Sequence, residues 1–258
     1  MAPPLPNFVI LGAQLCATRW LRSNLERHPD IYLPSFELGY FENRVDMRRL
    51  GIGWYRDQFA AWDREPLVGE VSPSYLSLKH KPAQVAERID ETLPDARVVA
   101  IVRQPVDRMY SAMLQYIKRG ALAPDTDLFE LIRDRDPVLE HVDLLGASLY
   151  SQSIHRYRRR FGDRLLVLFY DDICDRPGDV YSAVLDHIGA GPFVPPDLDK
   201  VLFSNRHSVR ARELTEEHHR VLFRLFVRDV EELQVLTGRD LTRWYPGPSW
   251  PTGDVPRL

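Results

Sequence analysis

Cysteine is nearly absent: Cys16 and Cys174 are the only two in 258 residues. Two thiols so far apart in sequence cannot form a disulfide framework, and neither has the spacing of a zinc knuckle. An excess of one charge is missing too, since 34 basic residues meet 37 acidic ones for a net charge of −3. Nucleic-acid binders normally carry a basic excess, so no nucleic-acid partner is expected, and the same balance disfavours a polyanionic acceptor. No run approaches the roughly 18 apolar residues of a membrane helix. The proline-rich stretch Met1 to Asn7 lacks the charged and apolar regions of a secretory signal. No membrane partner is therefore expected, and the setting is read as cytoplasmic. Repeats and low-complexity tracts are also lacking. What remains, 44 % hydrophobic and 28 % charged, is the composition of an ordinary folded globule.

The pattern that is present alternates short apolar runs with amphipathic stretches. Phe8-Val9-Ile10-Leu11, ending at Gly12, reads as a buried strand, and Arg97 to Val102 and Leu165 to Tyr170 read likewise. Leu67 to Val71 is a weaker strand. Helices are expected over Arg19 to Arg27, Lys81 to Leu93, Pro105 to Lys118 and Gly146 to Phe161. A last one is capped by Thr215 and stopped at Gly238. Strands without polar alternation, separated by helices, predict a three-layer α/β/α arrangement around a central parallel sheet. One domain is expected over residues 1–258, with a core at about 7–244 and a proline-rich tail at 245–258. Asn43 to Glu65 and Pro192 to Arg212 are expected to be irregular.

In open α/β sheets ligands sit at the carboxyl ends of the strands. The loop after the first strand reads Gly12-Ala13-Gln14-Leu15-Cys16-Ala17-Thr18-Arg19-Trp20. Such a loop aims backbone N–H groups and a helix N-terminus at one point, which suits a phosphate or sulfate. The small residues Ala13, Cys16 and Ala17 allow close approach, and Thr18 adds a hydroxyl. The Gly-Lys-Ser/Thr ending of a Walker A loop is missing, and a plain strand-to-helix turn is the alternative. A second constellation, Arg103-Gln104-Pro105-Val106-Asp107-Arg108-Met109-Tyr110-Ser111, follows the strand Arg97 to Val102. Arg103 is placed at a strand's carboxyl end, where a guanidinium holds a phosphate bidentately. Ser111 falls two turns into the next helix. Arg108 reads as a structural ion pair.

This combination resembles the sulfotransferases that use 3′-phosphoadenylyl sulfate (PAPS), especially their bacterial and heparan-type branch. That family has a loop of the form Gly-x-x-Lys/Arg-x-Gly-Thr-Thr for the 5′-phosphosulfate and strand-Arg-x-Pro-x-x-Arg-x-x-Ser for the 3′-phosphate. The second motif is intact here as Arg103, Pro105, Arg108 and Ser111, whereas the first keeps Gly12 and Thr18. The segments at His28 to Ile31, Glu37 to Phe41, Gly69 to Tyr75, Gly146 to Asp172 and Leu236 to Trp244 follow in the family's order. The resemblance implies a P-loop-NTPase-like sulfotransferase fold, PAPS as sulfuryl donor with PAP as product, no metal, and a small or medium-sized hydroxylated acceptor.

For the base it implies Glu37, matching the acid of Lys-Glu-Leu-His-Tyr-Phe, with burial against Phe36, Tyr40 and Phe41 expected to raise its pKa. His80, between Lys79 and Lys81, is a second candidate. Leu15 stands where the family carries a lysine or arginine on the leaving oxygen, and Phe36 where a lysine often precedes the base. Arg19 is the nearest replacement cation, with a helix-surface arginine as its alternative. Trp20 is read either against adenine or in the core. Arg210 and Arg212 match the late loop over the nucleotide phosphates, and His207 lies beside them. His218 and His219 read as surface residues. Trp54, Tyr55, Phe59 and Trp62 either line an acceptor pocket or pack in the core. Two further functional readings stay open: a nucleotide-binding protein that has lost the chemistry, and a degenerate P-loop kinase, although no Walker B run is visible.

Overall fold

The computed structural model describes residues 2–42, 46, 49–200 and 213–247. Its strands are β1 (Phe8–Gly12), β2 (Ile31–Tyr32), β3 (Leu67–Val71), β4 (Arg97–Val102) and β5 (Leu165–Phe169). They form one sheet in the order β2-β3-β1-β4-β5, with every pairing parallel. Every residue of β1 is buried, as are all of β4 except Arg97. Covering both faces of a strand is what an unbroken apolar run requires, and each large aliphatic side chain so buried contributes about 1.5–3 kcal/mol.

The helices are α1 (Thr18–Leu25), α2 (Ile52–Asp57), α3 (Pro82–Thr92), α4 (Pro105–Lys118), α5 (Leu128–Arg133), α6 (Val138–His141), α7 (Ser151–Phe161), α8 (Tyr170–Asp175), α9 (Pro177–Ile188), α10 (Glu216–Phe223) and α11 (Val227–Thr237). Proline stands in the first turn of α3, α4 and α9, where its missing N–H costs nothing. Two compact units result. The first comprises Met1–Arg103 and Ser153–Ser204 and contains the whole sheet; the second comprises Gln104–Gln152 and Asn205–Leu258.

The expected strands all appear, and the order of elements is that of an α/β protein. Three boundaries differ for local reasons. The helix expected over Gly146 to Phe161 is a 3-10 turn, Gly146–Ser148, followed by α7, because Leu149 takes an extended conformation between them. The last helix is two, α10 and α11, with a break at Phe226. The segment expected to be irregular from Asn43 to Glu65 contains α2, packed through the buried Tyr55.

In the second unit, α4 packs against α10 and the Gly146–Ser148 turn. Arg108 is fully buried there and donates to the Leu144 carbonyl at 3.1 Å and to Ser148 Oγ at 3.3 Å. Its Nη1 is thus anchored within this unit by a carbonyl and a hydroxyl. Asp229 of α11 receives the backbone N–H groups of Tyr150 (2.8 Å) and Ser151 (2.9 Å) and the Ser151 hydroxyl (2.6 Å). A carboxylate from a distant helix thus caps the start of α7.

Candidate functional site at the carboxyl ends of the central strands

β1 lies between β3 and β4, and the chain passes from one side of it to the other after β3. The carboxyl ends of β1 and β4 therefore mark the switch point at which open α/β sheets bind ligands. Gly12 closes β1 with φ of +123°, and a Cβ there would stand 2.2 Å from the Pro73 carbonyl oxygen. Only glycine fits. The next N–H, of Ala13, donates to the Ile101 carbonyl at 2.7 Å and fixes the loop to β4.

Beyond Ala13 the loop turns tightly. Leu15 and Ala17 both have left-handed backbones, at φ of 67° and 68°. Ala17 is the N-cap of α1, and no side chain among the described residues caps that helix. Its first-turn N–H groups have no carbonyl one turn back to accept them, and they carry the positive end of the helix dipole. Cys16 is buried, donating its N–H to Ala13 O at 3.2 Å, and Thr18 is buried at the helix start. Arg19 is exposed on the first turn. Trp20 is buried and its indole N–H donates to the Leu198 carbonyl at 2.9 Å, so it packs within the first unit.

Arg103 follows β4 and reaches into the same loop. Its Nη1 donates to the Leu15 carbonyl at 3.2 Å, and its guanidinium lies 4.2 Å from the centre of the Tyr170 ring. Its Nε is buried without a hydrogen-bond partner among the described residues. A buried donor on a cation with no partner among the described residues, on a side chain that reaches the loop leading into a helix N-terminus, suits an oxyanion. Gly12, the Ala13 to Thr18 loop and Arg103 are thus brought together. Ser111 is buried on α4 of the second unit. Arg210, Arg212 and His207 lie outside the described residues.

A second group sits at the carboxyl end of β3. Glu70 of that strand is wholly buried and accepts hydrogen bonds from Tyr55, Ser72 (2.7 Å) and Tyr75 (2.5 Å). Burial pushes its carboxyl up from the usual range, and the three hydroxyls oppose that rise. Glu42 is nearly buried, accepts from the Ser74 hydroxyl, and has Oε2 3.8 Å from His80 Nδ1. Glu37 is exposed, as is Phe36 at 51 %. The expected burial of Glu37 against its aromatic neighbours is not found, because Tyr40 and Phe41 turn onto Tyr55 instead. Tyr55 and Phe59 are fully buried, so at least half of the aromatic stripe is packed core.

Sequence reasoning assigned no role to Glu70, Glu42 or Ser74. A glutamate inside the apolar strand Leu67–Val71 was the one available signal for Glu70; the other two become visible only through tertiary contacts. In the second unit His218 stacks on Phe129 at 4.6 Å and His219 Nε2 lies 3.7 Å from Asp107. Among the described residues no cluster of three or more histidine, cysteine, aspartate or glutamate side chains could hold a metal, and no helix is long and apolar enough to cross a membrane.

Comparison with known proteins adds a family. Residues 55–193 match the model of the sulfotransferase family. The chain is 31 % identical over 144 residues to the membrane-associated sulfotransferase kil1 of Dictyostelium discoideum, covering 53 % of this chain and 29 % of that one. It is 26 % identical over 190 residues to human heparan sulfate glucosamine 3-O-sulfotransferase 3B1, covering 72 % and 46 %. The chain thus spans less than half the length of these curated relatives. Among solved structures, a sulfotransferase from Alicyclobacillus acidocaldarius superposes with a TM-score of 0.77 at 25 % identity, covering 93 % of this chain and 99 % of that one. Mouse sulfotransferase SULT7A1 complexed with PAP superposes at 0.55 and 15 % identity over 90 % and 86 %, a likeness of fold.

Proposed function

Because this chain belongs to the sulfotransferase family, we propose that it moves a sulfuryl group from PAPS to a hydroxyl of a small or medium-sized acceptor. The observation that carries the reading is Arg103 at the carboxyl ends of β1 and β4, whose Nη1 donates to the Leu15 carbonyl while its buried Nε has no partner among the described residues. PAPS supplies an activated sulfuryl group on a phosphate. Gly12 and the amides from Ala13 to Thr18 are assigned to its phosphosulfate, and Arg103 to a nucleotide phosphate oxygen. No metal is required where amides and guanidinium groups supply the positive field.

On the acceptor side, Glu37 is assigned as the base. Its exposed carboxylate is accessible to a hydroxyl entering from solvent, and its loop is held at the end of β3 through Gly39 and Phe41. Proton removal by a positioned carboxylate typically contributes about 10²–10⁴ in rate. Leu15 cannot stabilise the leaving oxygen, so that task falls to another cation, and Arg19 of the first helical turn is the one assigned. The exposed Phe36 beside Glu37 and the near-balanced charge of the chain favour an uncharged acceptor over a polyanionic glycan. Cys16 and Cys174 form no disulfide, which accords with a cytoplasmic setting.

Isothermal titration with PAP tests the nucleotide site, and mass-spectrometric screening of hydroxylated acceptors with PAPS tests transfer. Micromolar binding and a mass gain of one sulfuryl group are expected. No binding at millimolar PAP would overturn the reading.

A further inference from the structure

Glu70 is one residue short of the end of β3 and has no solvent exposure, so it cannot touch an acceptor. Burying a carboxylate is costly unless donors surround it. Here three hydroxyls do so, and each serves a second purpose. Ser72 donates to Glu70 Oε1 at 2.7 Å while its oxygen accepts the N–H of Gly39 at 3.0 Å. Tyr75 donates to the same Oε1 at 2.5 Å and accepts the N–H of Phe41 at 3.1 Å. Tyr55 donates to Oε2, and its ring lies stacked on that of Tyr40 at 4.3 Å and 15°.

Three consecutive residues, Gly39, Tyr40 and Phe41, are therefore held one each by the three hydroxyl partners of a single carboxylate. A hydroxyl has one proton to give. With all three protons committed to Glu70, the oxygens of Ser72 and Tyr75 can only accept, which is what the two loop amides need. The direction of every bond in the cluster follows from the acid at its centre. Polarised chains of this kind strengthen one another.

We propose that Glu70 is a positioning residue for the acceptor-side loop from Glu37 to Glu42. Through Ser72, Tyr75 and Tyr55 it sets where the Glu37 carboxylate stands relative to the anion loop at Gly12. The link to that loop is direct, since Pro73, between Ser72 and Tyr75, is the residue whose carbonyl crowds Gly12. The inference rests on the assignment of Glu37 as the base for its catalytic consequence, but the clamp itself can be measured without turnover.

Glu70→Gln keeps the volume and removes the charge, so an amide NH2 now points at one or more hydroxyls that previously donated. Hydrogen exchange of single amides should then show Gly39 and Phe41 opening about tenfold faster, the worth of roughly one net hydrogen bond. Amides of the central β4 should be unaffected. PAP affinity should stay within about twofold, and kcat should fall by about tenfold or more at similar acceptor KM, as expected for a misplaced base. Should Glu70→Gln fail to fold, single-arm variants decide the matter: Ser72→Ala should release Gly39 alone, and Tyr75→Phe should release Phe41 alone. Unchanged exchange at both amides in a folded variant would overturn the proposal. Faster exchange with no PAP binding by the parent protein would leave the clamp standing and remove the sulfotransferase reading instead.

Discussion

Replacing Arg103 by alanine separates a binding role from a structural one, because the structure predicts opposite sizes for the two effects. In the free protein the substitution removes one hydrogen bond to the Leu15 carbonyl, about 1 kcal/mol, and a guanidinium–ring contact with Tyr170 of about 0.5–1 kcal/mol. It also removes a buried Nε that has no partner among the described residues, which returns about 1–3 kcal/mol. These terms offset one another to within about 1 kcal/mol, so the melting temperature should move by no more than about 4 °C. With nucleotide bound the balance is different. A guanidinium on a phosphate makes charge-assisted bonds of about 1.5–3 kcal/mol each, and a bidentate pair makes two. Loss of about 3 kcal/mol or more corresponds to at least about a hundredfold weaker PAP binding. Arg103→Lys keeps the charge but not the fork, and should fall between the two. Titration calorimetry with PAP beside thermal melts of the same samples provides the assay. Binding by Arg103→Ala within about threefold of the parent would refute the argument, and so would a melting temperature lower by about 10 °C, which would make Arg103 a structural residue.

Three further outcomes are expected. Arg19→Ala should lower turnover by about a hundredfold, the scale of losing one transition-state donor, with a smaller change in PAP affinity; equal turnover in a working enzyme would remove Arg19 from the mechanism. Asp229→Ala strips three donors of their acceptor at the start of α7. It should cost about 2–4 kcal/mol, or about 5–12 °C in melting temperature, and a shift under 2 °C would show that water takes over the cap. His187 is half-buried, and burial holds its imidazole below the usual range while Nε2 faces the carbonyls of Val98 and Arg164. A depressed folded pKa means that its contribution is present above the unfolded value of about 6.5 and is lost as pH falls through the folded value. Urea midpoints at pH 7 and pH 5 should therefore converge in His187→Gln relative to the parent, and an identical pH slope in both proteins would contradict the assignment.

The legible part of this protein is the part governed by local rules. Unbroken apolar runs marked β1, β4 and β5 because a strand covered on both faces tolerates no polar alternation. Prolines and a capping threonine placed helix starts within a residue or two. The loop proposed to hold the anion could be located because Gly12 and the small residues after it follow a strand directly, and Arg103 because it follows another.

Tertiary structure alone decided the rest. The break between α10 and α11 and the extended Leu149 interrupt continuous helical periodicity, so packing and not propensity sets them. Ile31–Tyr32 is too short to leave a pattern. Glu37 matched a motif and was expected in an apolar pocket, yet Tyr40 and Phe41 turn to the rings at Tyr55 and leave it exposed. Glu70 lay in plain view as an acid within an apolar strand, but its role depends on Tyr55, Ser72 and Tyr75 converging from a helix and a turn. Spacing along a chain determines which residues can share a strand or a helical face; which hydroxyl reaches which carboxylate depends on how separate elements meet, and that is fixed only when the core closes.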